Sequence, residues 1–334
     1  MTALKVSILI PSYNHAALIE RTIRSVWDQN YPNIEIVIID DGSTDDSYEV
    51  VCKLLEFSPI SMKVIKQKNT GICGTLNRAL ALSTGEIIGF IASDDIMLPN
   101  RLNQEVLWFQ SRPSLKVLYS SGQFLSNGRQ FGDVHKLIKP FLKRGIVAMR
   151  DHLLSTAPGF YLQAMLIRRE FLLTLGAFDE KTGSDDWSLN IRIFKALTEE
   201  NEYLFLDRFS FLYRHHGGQA HRREMTFMIP MARKVVRRYF SIENRSKIIC
   251  KNYGRRAVKL CFQMKIRRGW RYLKMAVFIG FADGVPLKCL TEFVCELPVY
   301  VYHRLKRPLN ISQFLSRANF EKIKSVSTLL KLIK

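Results

Sequence analysis

Four apolar segments separated by amphipathic segments constrain the fold of this chain more than any other feature of its sequence. The apolar segments are KVSILIPSY (5–13), IEIVIID (34–40), MKVIKQ (62–67) and EIIGFIAS (86–93). The intervening segments predict helices over 17–29, 43–57 and 75–83 because their apolar residues recur at helical spacing. Strands that are apolar on both faces, with helices between them, are typical of a parallel sheet. We therefore predict an α/β fold with a mostly parallel sheet flanked by helices.

Polar residues follow each predicted strand at the point where the strand ends. They are Pro11, Ser12, Tyr13 and Asn14 after the first strand, Asp40, Asp41, Gly42 and Ser43 after the second, Asn69, Gly71 and Asn77 after the third, and Ser93, Asp94 and Asp95 after the fourth. The carboxyl ends of parallel strands meet at one edge of a sheet, where such folds bind ligands. The sequence thus predicts one polar rim, although DDGS alone also fits an ordinary turn.

The adjacent acids Asp94 and Asp95 at the end of a buried strand need a physical reason. Two neighbouring carboxylates repel each other, and loss of water at a strand end increases the cost. A divalent cation such as Mg²⁺ takes oxygen ligands, bridges carboxylate to phosphate and removes this repulsion. The pair therefore predicts a cation and a nucleoside diphosphate derivative at the rim, where the cation would also offset the charge on a departing diphosphate.

The charge of the chain is unevenly distributed. Of the 50 Lys and Arg and 30 Asp and Glu residues, 1–230 hold 26 basic and 25 acidic residues, whereas 231–334 hold 24 basic and 5 acidic ones. This shift predicts a nearly neutral globular domain over 1–230 and a basic, mainly helical module over 231–334. The longest uncharged run of the helical part of the module, 275–282, falls short of the roughly 20 residues that a bilayer-spanning helix needs.

Several interpretations of the basic module stay open. It packs on the globular domain, or its alternating aromatic and basic residues bind an anionic membrane surface, or it binds another protein. Trp270 and Tyr272, for example, are interleaved with Arg267, Arg268 and Arg271. A nucleic-acid partner is disfavoured because no recognised binding motif accompanies the charge.

The cysteine pattern and the first residues predict the compartment. None of the six cysteines forms a CxxC pair. A secretory signal has a basic segment before its apolar run, and here no such segment precedes the first apolar run. We expect reduced thiols and a cytoplasmic protein, peripheral on the inner face of the cell membrane if the basic module binds lipid.

Two blocks of motifs carry a resemblance to a known family. VSILIPSYNHAALIERTIRSVWDQNYPNIEIVIIDDGSTDDS and NTGICGTLNRALALSTGEIIGFIASDD resemble family 2 inverting glycosyltransferases with the GT-A fold over residues 6 to about 110, and later blocks extend the match to about 218. The resemblance implies a catalytic domain over 1–230, with a nucleotide-sugar half to about 115 and an acceptor half over about 116–230. It also implies a nucleotide-sugar donor, a UDP-sugar by family precedent, a divalent cation (Mn²⁺ or Mg²⁺), and a sugar, lipid or protein acceptor.

The resemblance also implies roles for the rim residues. Pro11, Ser12 and Tyr13 frame the base, Asp40 accepts a hydrogen bond from it, Asp41 lies beside Asp40, Asn69 and Gly71 shape the loop over the ribose and diphosphate, and Asn77 joins the donor site. Asp94 and Asp95 match the metal motif, with Asp95 as the expected direct ligand. Two residues depart from the family pattern, because Ala92 and Leu76 stand where many members have an acid and an arginine.

Two later motifs are expected to complete the site. GAFDEKTGSDDWSLNIR resembles the family's GF[DE]…EDWDLWLR, so Asp186 is predicted to be the base that takes the acceptor proton, with Asp185 as the alternative. From the residues alone, an acidic pair at a helix N-terminus is the favoured interpretation. FLYRHHGGQAH resembles YRxHxGS and places Arg214 and His216 near the diphosphate or the cation, whereas a histidine pair in a surface turn is the alternative.

The remaining features are less specific. VLYSSGQFLSNGRQ (117–130) predicts a hairpin with its turn at Ser-Asn-Gly, and the basic segment 134–159 is expected to contact the acceptor. No role follows for the four other single histidines, His15, His135, His152 and His303. The sequence predicts a glycosyltransferase for a glycan or lipid-linked saccharide of surface polysaccharide synthesis. The alternatives are a catalytically degenerate GT-A-like nucleotide-binding or regulatory protein, a receiver-like regulatory domain and a nucleotidyltransferase, the last two lacking expected residues.

Overall fold

The structure is a computed structural model that describes residues 3–155, 160–217 and 225–241. The predictions for 242–334, which include most of the basic module and His303, lie outside the described residues. Within the part of the chain that is described, no helix combines the length and the apolar character needed to cross a bilayer.

Nine strands and nine α-helices make up the described part of the chain. The strands are β1 (Val6–Ser12), β2 (Ile34–Asp40), β3 (Ser61–Lys66), β4 (Ile87–Phe90), β5 (Ile96–Met97), β6 (Val117–Ser126), β7 (Arg129–Phe131), β8 (Met165–Arg168) and β9 (Tyr203–Arg214). The helices are α1 (Ala16–Trp27), α2 (Ser47–Glu56), α3 (Ile72–Leu82), α4 (Arg101–Ser111), α5 (Lys139–Arg144), α6 (Ile146–Ser155), α7 (Arg169–Thr174), α8 (Asp186–Ala196) and α9 (Met225–Tyr239). Short 3₁₀ helices cover Leu162–Ala164 and Glu200–Glu202.

The strands form one mixed sheet in the order β3-β2-β1-β4-β8-β6-β9-β5, and β7 pairs with β6. The four predicted strands form its parallel half, since β1 pairs in parallel with β2 and β4, and β2 with β3. In the other half, β8 is antiparallel to β4 and β6, whereas β9 is parallel to β6. The predicted α/β class with helices around the sheet is confirmed, and the antiparallel pairs appear only beyond β4.

The parallel half is held together by its apolar strands and by one face of α1. Every residue of β2 is buried, as are six of the seven residues of β1. From α1, Ile19, Ile23 and Val26 are completely buried, at the spacing of a single helix face. Burial of each such side chain contributes about 1.5–3 kcal/mol. This packing fixes the carboxyl ends of the strands relative to the start of α1.

The predicted hairpin is present between β6 and β7. Asn127 and Gly128 form its turn with φ angles of 48° and 77°. Two consecutive residues with positive φ are the mark of a type I′ turn, which favours this Asn-Gly pair. The following basic segment contains α5 and α6 in the described residues.

Candidate active site

The ends of β1 and β2 form the first part of the rim. Ser12 and Asp40 are direct neighbours in the parallel register. The two carboxylate oxygens of Asp40 accept hydrogen bonds from Ser43, one from its main-chain N–H at 2.9 Å and one from its hydroxyl at 2.6 Å. The Ser12 hydroxyl is buried without a hydrogen-bond partner, whereas Tyr13 is 44% exposed. The rim thus offers one unsatisfied polar atom and one accessible ring, while Asp40 is engaged in its own turn.

Asp41 organises the loop that follows β3. One of its oxygens accepts hydrogen bonds from Gln67 Nε2 and the Thr70 main-chain N–H, both at 2.8 Å, and the other accepts from the Gly71 N–H at 2.9 Å. Gly71 has a φ of 82°, which a residue without a Cβ adopts without strain. Asn69 is exposed on the same loop. Asp41 is therefore the group that shapes this loop, and the position of the loop over a donor stays a prediction.

Asp94 and Asp95 lie in different environments despite being adjacent. Asp95 is fully buried, and its oxygens accept hydrogen bonds from the Arg214 main-chain N–H at 3.0 Å and from Gln163 Nε2. Burial, followed by the charge of Asp94, raises the pKa of Asp95 well above its usual range. Asp94 is partly exposed, and its Oδ2 lies 2.9 Å from His216 Nε2. One acid is thus buried and held by Arg214 and Gln163, whereas the other is turned toward a histidine.

Arg214 connects the end of β9 to this region. Its guanidinium donates to the Leu18 carbonyl at 2.9 Å, to Thr22 Oγ1 at 2.8 Å and to the Asp94 carbonyl. Burial lowers the pKa of Arg214. The guanidinium therefore contacts protein oxygens of α1 and of the loop after β4. Its place near the diphosphate or the cation stays a prediction. Its position sets the place of His216, two residues farther along.

A third side chain, His15, joins Asp94 and His216. One ligand atom from each of the three residues lies within 4.8 Å of the others, and His15 Nε2 is 3.8 Å from Asp94 Oδ2. Asn14, with a φ of 55°, turns the chain into α1, and the His15 main-chain N–H donates to Ser47 Oγ at 2.8 Å. The sequence analysis missed His15, although its place directly after the polar residues of β1 was a usable signal.

Asp185 and Asp186 lie at the start of α8, as the sequence predicted. Asp186 Oδ1 accepts a hydrogen bond from the Trp187 main-chain N–H at 2.5 Å. Burial, followed by the charge of Asp185, raises the pKa of Asp186 to about 7, and burial raises the pKa of Asp185 as well. A carboxylate that serves only the helix dipole has a lowered pKa, because the N-terminus favours its charged form. Here burial and the charge of Asp185 outweigh the main-chain hydrogen bonds that lower the pKa, and the base role of Asp186 stays a prediction.

Two neighbouring groups relate this pair to the rim. The Tyr161 hydroxyl has a pKa raised to about 12 by burial, then by the charges of Asp186 and Asp95. The Cys73 thiol, in the first turn of α3, has a pKa raised to about 12 by burial and then most strongly by Asp185. Asp186 therefore lies within electrostatic reach of the same hydroxyl as Asp95, and Asp185 lies near the start of α3, directly after Gly71.

Asn77 links α3 to the segment that precedes α8, and its role in the donor site stays a prediction. Its Oδ1 accepts from the Phe178 N–H at 2.9 Å, and its Nδ2 donates to the Phe178 carbonyl at 3.0 Å and to Glu180 Oε1 at 2.7 Å. Asn77 thereby fastens the segment that leads to Asp185 onto α3. The neighbouring Leu76 is a fully buried core residue.

Two polar residues that no sequence motif marked, Thr22 and Gln163, form hydrogen bonds to the segment of Asp94 and Asp95. Thr22 Oγ1 donates to the carbonyls of Ser93 and Asp95, at 2.9 and 2.7 Å. Gln163 holds Asp95, and its own carbonyl accepts from the buried Arg101 at 2.6 Å. No motif marks Gln163, because its contact partners are more than 60 residues away in the sequence.

The mixed sheet with an acidic rim at the carboxyl ends of its parallel strands defines a protein of the GT-A fold. The crystal structure of Staphylococcus aureus TarS 1-349 in complex with UDP-GlcNAc is similar, with a TM-score of 0.63, 17% identity, and 95% of this chain and 92% of that chain covered. Residues 7–176 match the family model described as Glycosyl transferase family 2, and the chain belongs to that family.

Curated relatives match about a third of the chain. WfgD of Escherichia coli, named a UDP-Glc:alpha-D-GlcNAc-diphosphoundecaprenol beta-1,3-glucosyltransferase, is 33% identical over 128 residues, which are 38% of this chain and 49% of WfgD. TuaG of Bacillus subtilis, a putative teichuronic acid biosynthesis glycosyltransferase, is 32% identical over 107 residues, 32% of this chain and 42% of TuaG. The chain spans at most about half the length of the curated relatives it matches here.

A second solved structure is the mannosyltransferase PcManGT from Pyrobaculum calidifontis in complex with GDP-Man and Mn²⁺. It has a TM-score of 0.56 and 17% identity, with 99% of this chain and 84% of that chain covered. At this level of identity the likeness concerns the fold alone.

Proposed function

We propose that this protein is an inverting glycosyltransferase that moves a sugar from a nucleotide-diphosphate donor to an acceptor hydroxyl by direct displacement. The single observation that carries the proposal is the pairing of Asp94 with His216 at the strand ends, with Asp186 close enough that its charge and that of Asp95 both act on the Tyr161 hydroxyl. A cation-binding group and a general base are the two elements that inverting sugar transfer requires.

The donor occupies the ends of β1, β2 and β3 in this proposal. Tyr13 and Pro11 contact the base. The buried Ser12 hydroxyl, which has no hydrogen-bond partner within the protein, forms a hydrogen bond with the donor. Asp40, with oxygens that accept from Ser43, acts through its remaining lone pairs, and Asp41 holds the loop of Asn69 and Gly71 over the ribose and diphosphate.

Asp94 and His216 hold the divalent cation, Mn²⁺ or Mg²⁺. A carboxylate oxygen and an imidazole nitrogen 2.9 Å apart suit a shared ion, and both side chains are partly exposed. The cation, when bound, offsets the negative charge that develops on the departing diphosphate. The burial of Asp95 supports a positioning role for this residue. In this proposal Asp94 therefore takes the ligand role that was expected of Asp95.

Asp186 takes the proton from the acceptor hydroxyl while the hydroxyl oxygen attacks the anomeric carbon. A base with a pKa near the working pH is deprotonated in a useful fraction of molecules and still accepts a proton readily. Burial raises the pKa of Asp185, the alternative base. The charge of Asp185 in turn raises the pKa of Asp186. Asn77 positions the base by holding the segment before Asp185. Arg214 positions the cation ligands by holding the loop at Asp94.

A UDP-sugar donor and a glycan or lipid-linked acceptor follow from the relatives. WfgD is named for a UDP-glucose donor and a diphosphoundecaprenol-linked acceptor, and TuaG for teichuronic acid synthesis. We extend both properties to this chain as part of the proposal, together with a role in surface polysaccharide synthesis. An anionic membrane surface that receives the basic module would bring the enzyme to such an acceptor.

A second candidate is a catalytically degenerate GT-A-like protein that binds nucleotides or regulates a partner. Ala92 favours it, because a methyl group stands where many family members carry an acid. Such a protein binds a nucleoside diphosphate but does not release one from any nucleotide sugar.

The test is a screen of UDP-, GDP- and CDP-sugars for cation-dependent release of nucleoside diphosphate, with lipid extract as the acceptor source. Release from one donor, abolished by EDTA and by Asp186→Asn, supports the enzyme. Stabilisation by a diphosphate without release from any donor favours the degenerate protein. The absence of both effects contradicts the nucleotide site itself.

A further inference from the structure

His15 is a third metal-binding side chain at the Asp94–His216 pair, and the inference drawn from it rests on the proposed function. Its Nε2 atom lies 3.8 Å from Asp94 Oδ2, on the carboxylate oxygen that also faces His216. The rings of His15 and His216 are 5.5 Å apart between centroids and nearly perpendicular, at 86°. Two imidazoles from distant parts of the chain thus converge on one carboxylate oxygen.

The spacing between His15 and Asp94 suits two ligands of a shared ion better than a direct hydrogen bond. A distance of 3.8 Å between His15 and Asp94 is too long for a hydrogen bond. Two ligands that each stand about 2.1 Å from one ion are about 3–4 Å apart. The three ligand atoms, all within 4.8 Å of one another, fall in the range that a single cation closes by a small movement.

The orientation of His15 is held from its other ring nitrogen. His15 Nδ1 lies 2.7 Å from Ser93 Oγ, and Ser93 directly precedes Asp94. Metal-binding histidines commonly donate their second ring N–H to such an oxygen, which leaves the first nitrogen with its lone pair facing the metal. The Ser93 carbonyl accepts in turn from Thr22 Oγ1 at 2.9 Å, so this partner is itself held in place.

We propose that His15 is a third protein ligand of the cation, and that it makes the site selective for Mn²⁺ over Mg²⁺. Mg²⁺ prefers oxygen ligands and a near-ideal octahedral arrangement, whereas imidazole nitrogen is a ligand of transition metals. With one carboxylate and two imidazoles, the protein side of the site carries more nitrogen than oxygen. His15→Gln, which removes one imidazole, should therefore weaken Mn²⁺ binding and leave Mg²⁺ binding less affected.

The experiment measures cation binding without any turnover. The full chain is saturated with whichever of UDP, GDP or CDP stabilises it, and Mn²⁺ affinity is obtained from the free-ion EPR signal, with Mg²⁺ affinity from competition. The variants are His15→Gln, His216→Gln and Asp94→Asn, with His152→Gln as the control, since His152 stacks on Phe141 in the segment after the β6–β7 hairpin. We expect a roughly tenfold or larger loss of Mn²⁺ affinity in His15→Gln, and a fall in the ratio of Mn²⁺ to Mg²⁺ affinity.

The outcomes separate this inference from the function on which it rests. Wild-type Mn²⁺ affinity in His15→Gln, with affinity lost in His216→Gln and Asp94→Asn, overturns the role of His15 and leaves the proposed cation site intact. Wild-type affinity in all three variants contradicts the cation site as well. A loss of nucleotide affinity in His15→Gln at unchanged Mn²⁺ affinity places His15 on the diphosphate, which also overturns the inference.

A second measurement needs no variant and holds if His15→Gln fails to fold. Electron spin-echo spectra of Mn²⁺ bound to the wild-type protein contain modulation from each coordinating imidazole nitrogen. Two coupled imidazoles are expected with His15 and His216 as ligands. A single coupled imidazole overturns the inference, and none contradicts His216 as well.

Discussion

His216 Nε2 lies 2.9 Å from Asp94 Oδ2, although the two residues are 122 positions apart in the sequence. Arg214 brings them together, because its main-chain N–H and its guanidinium both bond to the Asp94–Asp95 segment. The buried carboxyl of Asp95 takes part in this link, whereas Asp94 is turned outward. The two adjacent acids are therefore placed differently, and in the proposed function Asp95 holds the site while Asp94 binds the cation.

The first prediction separates these tasks by two isosteric changes. Asp94→Asn removes the charge beside His216 and should abolish stabilisation by Mn²⁺ and nucleoside diphosphate together. Asp95→Asn should retain it, since the Asn oxygen still accepts from the Arg214 N–H and a turned Gln163 amide offers its oxygen to the Asn amide. Thermal shift with and without Mn²⁺ measures both. The exposed Asp46→Asn is the control, and a greater loss in Asp95→Asn than in Asp94→Asn would return the ligand role to Asp95.

The second prediction concerns the pH dependence of sugar transfer. Asp186 acts as a base only when deprotonated, and its pKa is raised to about 7. The rate constant for transfer should therefore rise with pH between about 6 and 8 and then level off. Asp186→Asn should lower the rate by about 10²–10⁴-fold and remove this rise. Rates are measured at saturating donor across the pH series, and a wild-type profile that is flat over this interval contradicts the assignment.

The third prediction concerns stability and the same carboxyl group. The folded-state pKa of Asp186 is raised above its ordinary value of 3.8, so the unfolded chain loses this proton first as the pH rises. The contribution of Asp186 to the free energy of unfolding should thus fall from about pH 4 to about pH 7 and then stay constant. Asp186→Asn should match the wild type near pH 4 and be more stable at pH 8, by on the order of 1–3 kcal/mol.

Urea denaturation at both pH values measures this difference, with Asp46→Asn as the control for loss of an exposed charge. A less stable Asp186→Asn at pH 8 would mean that the ionised carboxylate favours the helix N-terminus. That result supports the purely structural interpretation of the acidic pair and removes the base from the proposed mechanism.

The fourth prediction addresses the loop after β3. Asp41 accepts from Gln67, Thr70 and Gly71 with two oxygens, and an amide offers only one. Asp41→Asn should destabilise the fold by about 1–3 kcal/mol through unsatisfied donors. The loop that it holds should then bind the donor less well, raising KM for the nucleotide sugar more than it lowers kcat. Steady-state kinetics at varied donor concentration gives both constants, and an unchanged KM contradicts a donor role for this loop.

Much of the parallel half of the fold could be predicted from the sequence because its signals are local. Continuous apolar strands, helical periodicity and an Asn-Gly turn each identify an element within about ten residues. β5, only Ile96–Met97, has no such signal and exists because it pairs with β9 more than a hundred residues later. The mixed order of the second half follows from such distant pairings, which residue patterns do not encode.

The site shows the same limit. The clustering of acids at the strand ends was visible in the sequence, and so was the acidic pair at α8. Which of Asp94 and Asp95 is buried depends on Gln163, and whether Arg214 is exposed depends on carbonyls of α1, so neither could be deduced from spacing. The bond between Asn77 and Phe178 likewise joins residues 101 positions apart, so no local pattern could predict it.

The last prediction compares two Arg–Glu pairs at i,i+4 spacing that differ in burial and in the order of the two residues. Arg101 and Glu105 on α4 are 2.8 Å apart and completely buried, whereas Arg24 and Glu20 on α1 are also 2.8 Å apart but more than half exposed. Glu105→Ala leaves the buried Arg101 charge without its partner and should cost about 3–5 kcal/mol. Glu20→Ala should cost only about 0.3–0.5 kcal/mol, because water solvates the exposed arginine.

The larger loss should also reach the site. Arg101 donates to the Gln163 carbonyl, and the Gln163 side chain holds Asp95, so Glu105→Ala is expected to weaken cation-dependent stabilisation as well as the fold. Glu105→Gln, which keeps an oxygen for the Arg101 Nε–H, should fall between the two alanine variants in free energy of unfolding. Urea denaturation of all three variants gives the order. Equal losses in Glu105→Ala and Glu20→Ala would show that burial of the α4 pair contributes nothing to stability, and would remove the support assigned to Asp95 through Gln163.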